Sequence, residues 1–294
     1  MELPAIETAS LSKRYGRVRA LEDLSLTVQA GEIFGFLGQN GAGKTTTIRL
    51  LLGLIAPSSG RAAVLGHDVS AGSAWRRDVG YLPGTLTFWP RVSGARTLDM
   101  LAAIGGRPAV WRQEVIERLH LSAADLSRPV GSYSDGMRQK LGIAQALQCG
   151  PRLALLDEPS KGLDPLMQIA FYDLLFDLAK KGTTIFFSSH VLPEVERVCQ
   201  RVAMLRAGRL LTVGSVDDLR RTLPRRVTVV FRDEPAVIDL SAFGQILGRS
   251  GTRIELMVSA DRVPELASRL AAQAVRDLLI EPQRLEDAFL EQYR

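Results

Sequence analysis

The sequence predicts an α/β fold: a mostly parallel sheet covered on both faces, a helical insertion, and a small α+β appendage. Three observations carry this. Short apolar runs from Ile33 to Leu37, Leu153 to Leu156 and Thr184 to Phe187 read as buried strands, and each runs into polar or glycine-rich chemistry. Helical patterns such as 166–180 fall between such strands, the alternation that builds parallel sheets. The pattern then changes twice, near residue 85 and past about Gly214.

Taken in order, segment 21–30 alternates Leu24, Leu26 and Val28 with Ser25, Thr27 and Gln29, a strand with one buried face. The run ending at Leu37 enters a glycine-rich turn and then a helix from about Gly43. From 85 to about 150 come helical stretches, 94–104, 110–120 and 135–148, split by Gly and Pro signals with no convincing strand. The next buried run ends on Asp157 and Glu158, and the third ends at Ser188-Ser189-His190. In open α/β sheets ligands sit beyond the carboxyl ends of the strands. After a polar, Arg-rich connection from Leu219 to Arg226, strands are expected at Val227 to Phe231 and Arg253 to Val258, and helices at 263–273 and 284–293. The expected domains are therefore 1–215 and 220–294.

Composition sets bounds. The 294 residues are 46% hydrophobic and 23% charged, enough for a real core. The net charge is +5, which permits anionic partners, but only six of the 37 basic residues are Lys. That Arg bias is as readily a matter of base composition, so it argues for no particular partner and no nucleic acid is expected. Cys149 and Cys199 lack metal-type spacing and read as two reduced, buried thiols. No apolar run approaches the ~18 residues of a membrane span, and the acidic start Met1-Glu2 does not resemble a signal peptide. The expectation is a chain soluble by itself.

Gly38-Gln39-Asn40-Gly41-Ala42-Gly43-Lys44-Thr45 matches G-x-x-x-x-G-K-[ST], with Thr46 following. Glycines let successive N–H groups turn inward around an anion, and the helix that follows points its positive end at the phosphates. Lys44 supplies a charge for the β- and γ-phosphates, and the Thr45 hydroxyl can ligate Mg²⁺. The nucleotide contacts are thus Gly38, Asn40, Gly41, Ala42, Gly43, Lys44, Thr45 and Thr46. The GTPase base reader Asn-Lys-x-Asp is excluded, because Asn40 is the only Asn.

Just upstream of the Asp157-Glu158 strand stands Gly131-Ser132-Tyr133-Ser134-Asp135-Gly136-Met137-Arg138-Gln139-Lys140. It resembles the signature of ABC transporter ATPases, usually L-S-G-G-Q, in its Y-S-x-G-M-R-Q variant. The resemblance runs in order through Tyr15, the phosphate loop, the signature, Asp157-Glu158, Ser160 to Asp164, and His190, about residues 1–215. It implies a P-loop ABC-type nucleotide-binding domain with a helical subdomain at about 85–150, binding ATP and Mg²⁺. By resemblance Tyr15 stacks on adenine, although an ordinary core or strand tyrosine is the competing reading. Asp157 orders Mg²⁺ ligands beside Thr45, Glu158 is the general base, and His190 is the switch histidine at the γ-phosphate. Asp164 matches a residue that communicates between subunits, and equally a cap for a helix begun by Pro165. Ser134 and the Gly136 backbone match the signature that completes the ATP site of a second nucleotide-binding subunit, so a partner subunit is implied, identical (a homodimer) or related. One position departs: the family's Gln, a Mg²⁺ ligand, is Gly84 here, with Thr85 or Thr87 as possible stand-ins.

Pro83-Gly84, Trp89 to Gly94, and Leu285 to Leu290 resemble the branch of stand-alone ATPases of bacterial exporters, which pair with a separate six-helix permease. That implies work at the cytoplasmic face of the cell membrane, with residues near 85–105 receiving the permease. The rival is a soluble ABC ATPase of translation, repair or cofactor assembly. The second cassette of the translation type and the long coiled coil of the repair type are both missing from the sequence.

Overall fold

A computed structural model of the chain describes residues 3–222, 224–233 and 239–282. The contacts divide it into two units, Met1–Gly214 and Ser215–Arg294.

In the first unit a six-stranded sheet has the order β10-β9-β3-β8-β7-β6. Its strands are β3 (Ile33–Leu37), β6 (Val79–Leu82), β7 (Leu153–Asp157), β8 (Thr184–Ser189), β9 (Arg201–Arg206) and β10 (Arg209–Ser215). β3, β7 and β8 are buried at every position. That is why they read as continuous apolar runs rather than alternating ones. Parallel pairing sets Leu37 beside Ser189, Asp157 beside Ser188, and Leu82 beside Leu156. Four strands therefore end at one edge: the three expected from the sequence, and β6 beside them.

A second sheet, β2-β1-β4-β5, comprises β1 (Ile6–Tyr15), β2 (Val18–Val28), β4 (Ser59–Val64) and β5 (His67–Asp68). It is antiparallel. The sequence reading found only the β2 strand of it. β1 escapes notice because Ser10 sits at φ 49° and the pairing with β2 shifts register after Thr8, which breaks the alternation. Apolar faces of both sheets close on helix α1 (Lys44–Leu51): Ile6, Leu24, Val28, Phe34, Phe36, Ile48, Leu51 and Val64 form one core. Phe186 stacks between Phe34 and Phe36, with centroids 6.0 and 4.9 Å away.

Between β6 and β7 lie α2 (Gly94–Gly105), α3 (Arg112–Arg118), α4 (Ala123–Ser127) and α5 (Asp135–Leu147), with no strand among them. α6 (Pro165–Lys180) and α7 (Leu192–Val198) complete the unit.

The second unit opens with α8 (Val216–Thr222) and holds an antiparallel sheet, β12-β13-β11-β14. Its strands are β11 (Arg225–Phe231), β12 (Gly244–Ser250), β13 (Arg253–Val258) and β14 (Val275–Pro282). Helix α9 (Val263–Ala271) buries Leu266 and Leu270 against Val227, Val229, Leu256 and Val258. β12 and β14 were not foreseen, since both are largely exposed and lack a buried stripe. The helix expected at 284–293 and the Leu285 to Leu290 motif lie outside the described residues.

Candidate functional site

The glycines of the phosphate loop have steric reasons to be glycine. A Cβ on Gly38 would stand 2.7 Å from the Leu205 carbonyl oxygen, and one on Gly43 2.6 Å from that of Ala20. Gly41 and Gly43 adopt φ of +82° and +108°, which L side chains resist. The Gly38 N–H donates to the Ser189 carbonyl at 3.2 Å, fastening the loop to the end of β8. Asn40 and Gly41 are exposed, Ala42 is buried, and Thr46 is half-buried.

Lys44 is only 6% exposed. Its Nζ donates to the Gly38 carbonyl at 2.6 Å and to that of Gln39 at 3.3 Å, and lies 3.5 Å from Glu158 Oε1. An ammonium this buried needs such partners. The next residue, Thr45, donates its hydroxyl to Asp157 Oδ2 at 2.7 Å. Ser188 donates to the other oxygen, Oδ1, at 2.5 Å. Asp157, 2% exposed, thus has a hydroxyl on each carboxylate oxygen.

Glu158 turns the chain out of β7 at φ 51°, in the left-handed region. For a residue with a Cβ that costs about 1–2 kcal/mol. Its N–H donates to the Ser188 carbonyl at 3.1 Å, which offsets part of the strain. The turn aims Oε1 at two nitrogens, Lys44 Nζ and His190 Nδ1, the latter at 3.0 Å. This carboxylate is 18% exposed and His190 46%, so the pair faces outward from the strand ends.

Beside this group is a cavity of about 240 Å³ lined by Thr45, Arg49, Tyr81, Pro83, Gly84, Thr85, Asp157 and Glu158. A Cβ on Gly84 would come 3.2 Å from Asp157 Oδ2. Burial, and then the Asp157 charge, push the Tyr81 phenol up and keep it protonated. Of the two threonines weighed against Gly84, Thr85 lines this cavity.

The remaining predicted residues stand apart. Tyr15 ends β1 at 46% exposure with Lys13 Nζ 5.2 Å from its ring centroid, so it is not a core tyrosine. Ser134 caps α5 by accepting from the Met137 N–H at 3.2 Å, and among the described residues no hydrogen bond joins it to the phosphate loop. Gly136 instead abuts the turn after Glu158: a Cβ there would meet the Gly162 carbonyl at 2.9 Å. Asp164 caps α6 by accepting from the Met167 N–H at 2.9 Å, with Pro165 opening the helix. The helix-cap reading of Asp164 is therefore realised.

Sequence reasoning missed the partners of these groups. Ser188 and Ser189 were seen only as a strand end, and Glu194 not at all. The available signal was a pair of hydroxyls closing a wholly buried strand, where each must find an acceptor.

A family model described as ABC transporter matches residues 21–161. The uncharacterized ABC transporter ATP-binding protein YdbJ of Bacillus subtilis is 36% identical over 297 residues, covering 99% of this chain and 96% of that one. The chain belongs to the ABC transporter ATP-binding proteins. A second model, described as the C-terminal domain of EvrA-like ABC transporters, matches residues 224–281 of this ABC ATPase. The ATP-binding protein all4389 of Nostoc is 43% identical over 208 residues, 69% of this chain and 62% of that one. The chain thus spans less than two thirds of that relative's length. The Nod factor export ATP-binding protein I of Burkholderia lata is 34% identical, with 99% and 97% covered. A solved ATP-binding subunit of an ABC transporter superposes with a TM-score of 0.69 at 32% identity, covering 74% of this chain and 92% of that one. ATP binding and hydrolysis are the activity of this cassette.

Proposed function

We propose that this ABC ATPase hydrolyses ATP in a centre shared by two copies and drives a separate integral-membrane permease, most plainly for export. The observation that supports it most is the placement of Glu158 Oε1 between Lys44 Nζ and His190 Nδ1, at 3.5 and 3.0 Å. A carboxylate at the edge of the phosphate loop is where a base for the attacking water belongs. Gly38 to Thr46 wrap the phosphates, and Lys44 exchanges loop carbonyls for phosphate oxygens. His190 holds the orientation of Glu158 and meets the γ-phosphate.

Thr45 and Asp157 present hard oxygens 2.7 Å apart beside the cavity at Gly84, a donor set that suits Mg²⁺. Bound there, Mg²⁺ supplies charge neutralisation on the β- and γ-phosphates. Tyr15, 46% exposed at the end of β1, stacks on the adenine.

What the loop lacks in its own copy is a cover. Ser134 and Gly136 sit at the N-terminal end of the 13-residue helix α5, with Ser134 exposed and, among the described residues, its hydroxyl bonded to the Met137 N–H of that helix. Set against a second copy, that end closes the γ-phosphate site, with Asp164 at the seam. Among the described residues no helix is long and apolar enough to cross a membrane, so work at the cytoplasmic face of the membrane requires the permease as anchor. Export is supported by the Nod factor relative, and that name together with the transporter names of the other two relatives disfavours the soluble, non-transport reading.

The test is turnover as a function of protein concentration. A shared centre gives specific activity that rises with concentration to a plateau; full activity in an isolated monomer would sink the proposal. Co-expression with a multi-span membrane protein encoded beside it tests the second half, by recovery of the ATPase in membranes only when that protein is present.

A further inference from the structure

One carboxylate outside every recognised motif touches both catalytic strand ends. Glu194 lies on α7, and its Oε2 accepts from Ser160 Oγ at 2.8 Å and from Ser189 Oγ at 2.9 Å. Ser160 follows Glu158 by two residues and Ser189 directly precedes His190. Both serines are enclosed, at 6% and 2% exposure. The Ser189 hydroxyl also accepts the Val191 N–H at 2.9 Å, and its carbonyl receives the Gly38 N–H at 3.2 Å.

A single oxygen atom thus joins the chain leaving Glu158 to the chain entering His190, at a place already fastened to the phosphate loop. The surroundings fix it further. Burial, and then the negative charge of Glu194, hold the Tyr172 phenol well above its ordinary value, so that ring stays neutral. The Arg197 guanidinium covers the Tyr172 ring at 5.6 Å. Leu192, Val195 and Val198 bury the other face of α7.

We propose that Glu194 is a positioning residue for ATP hydrolysis: by binding Ser160 and Ser189 through one oxygen, it sets the 3.0 Å spacing between Glu158 and His190. It rests on the assignment of those two as the catalytic pair. Charge is not the essential property. A neutral amide oxygen can accept from both hydroxyls, whereas a methyl accepts from neither and removes the one acceptor the two buried hydroxyls share.

The test compares Glu194→Gln, Glu194→Ala and the double variant Ser160→Ala/Ser189→Ala in the full chain, with Glu158→Gln as reference. Steady-state kcat and KM for ATP are measured at saturating protein, with thermal midpoints alongside. Expected are a Glu194→Gln kcat within about threefold of wild type and a Glu194→Ala kcat lower by about 10–100-fold with KM little changed. Adding Ser160→Ala/Ser189→Ala to Glu194→Ala should cost almost nothing more, because all three act through one contact. Wild-type kcat in Glu194→Ala would overturn the inference, as would equal losses in the Gln and Ala variants. Should Glu194→Ala not fold, the double serine variant decides on the same criterion. A fully active Glu158→Gln would instead sink the catalytic pair itself.

Discussion

Glu158 Oε1 and His190 Nδ1 lie 3.0 Å apart although 32 residues separate them, and each stands just past the end of its own parallel strand. The contact exists because β7 and β8 are paired in register, Asp157 against Ser188, so that the residues after them leave the sheet side by side. The proposed pairing of Glu158 with His190 depends on that register.

Removing the charge of Glu158 while keeping its shape should separate binding from hydrolysis. Glu158→Gln is expected to lower ATP turnover by about 10²-fold or more while nucleotide affinity is kept. It should also trap an ATP-bound dimer, seen by sedimentation as a doubling of mass in excess ATP. A variant that stays monomeric there counts against the shared centre.

Lys44 should matter for binding first. With its Nζ 2.6 Å from the Gly38 carbonyl, it is held inside the loop that would receive the phosphates. Loss of a charge-assisted contact costs about 1.5–3 kcal/mol, so Lys44→Ala should weaken ATP by about 10–150-fold in calorimetric titration. An unchanged affinity would place the phosphates elsewhere.

Gly43 tests the loop's backbone. At φ +108°, with the Ala20 carbonyl 2.6 Å from any added Cβ, Gly43→Ala is strained twice over. The expected cost is about 1–3 kcal/mol of stability, read in a denaturant titration, together with loss of nucleotide binding.

Gly84 stands where the resemblance leads one to expect Gln. It lines the cavity of about 240 Å³, and a Cβ there would stand 3.2 Å from Asp157 Oδ2, which has to give by a few tenths of an ångström. Gly84→Gln is expected to shift the Mg²⁺ dependence of turnover to lower metal concentration by a few-fold. If that dependence does not move, the metal is served from another direction.

The thiols should differ. Burial pushes both up, Cys199 being fully enclosed and Cys149 only half-buried with its Sγ 3.6 Å from the Arg107 carbonyl. An alkylating reagent at neutral pH is expected to label Cys149 first, as peptide mass spectrometry would show; faster labelling of Cys199 would mean that α7 opens readily.

The sequence by itself determined the phosphate loop, the buried strands β3, β7 and β8, and which residues stand at their ends. Each is written in contiguous residues: glycines at fixed spacing, an unbroken apolar run, a carboxylate pair after it. Only tertiary structure decided that Ser188 would hold Asp157, that Glu194 would reach both Ser160 and Ser189, and that β1 and β4 would form a separate antiparallel sheet. Those relations depend on strand register and helix docking across intervals that reach from Ile6 to Val64. A hydroxyl in the sequence says only that it needs a partner when buried; which partner it finds is set by the packing that brings two distant segments within 3 Å.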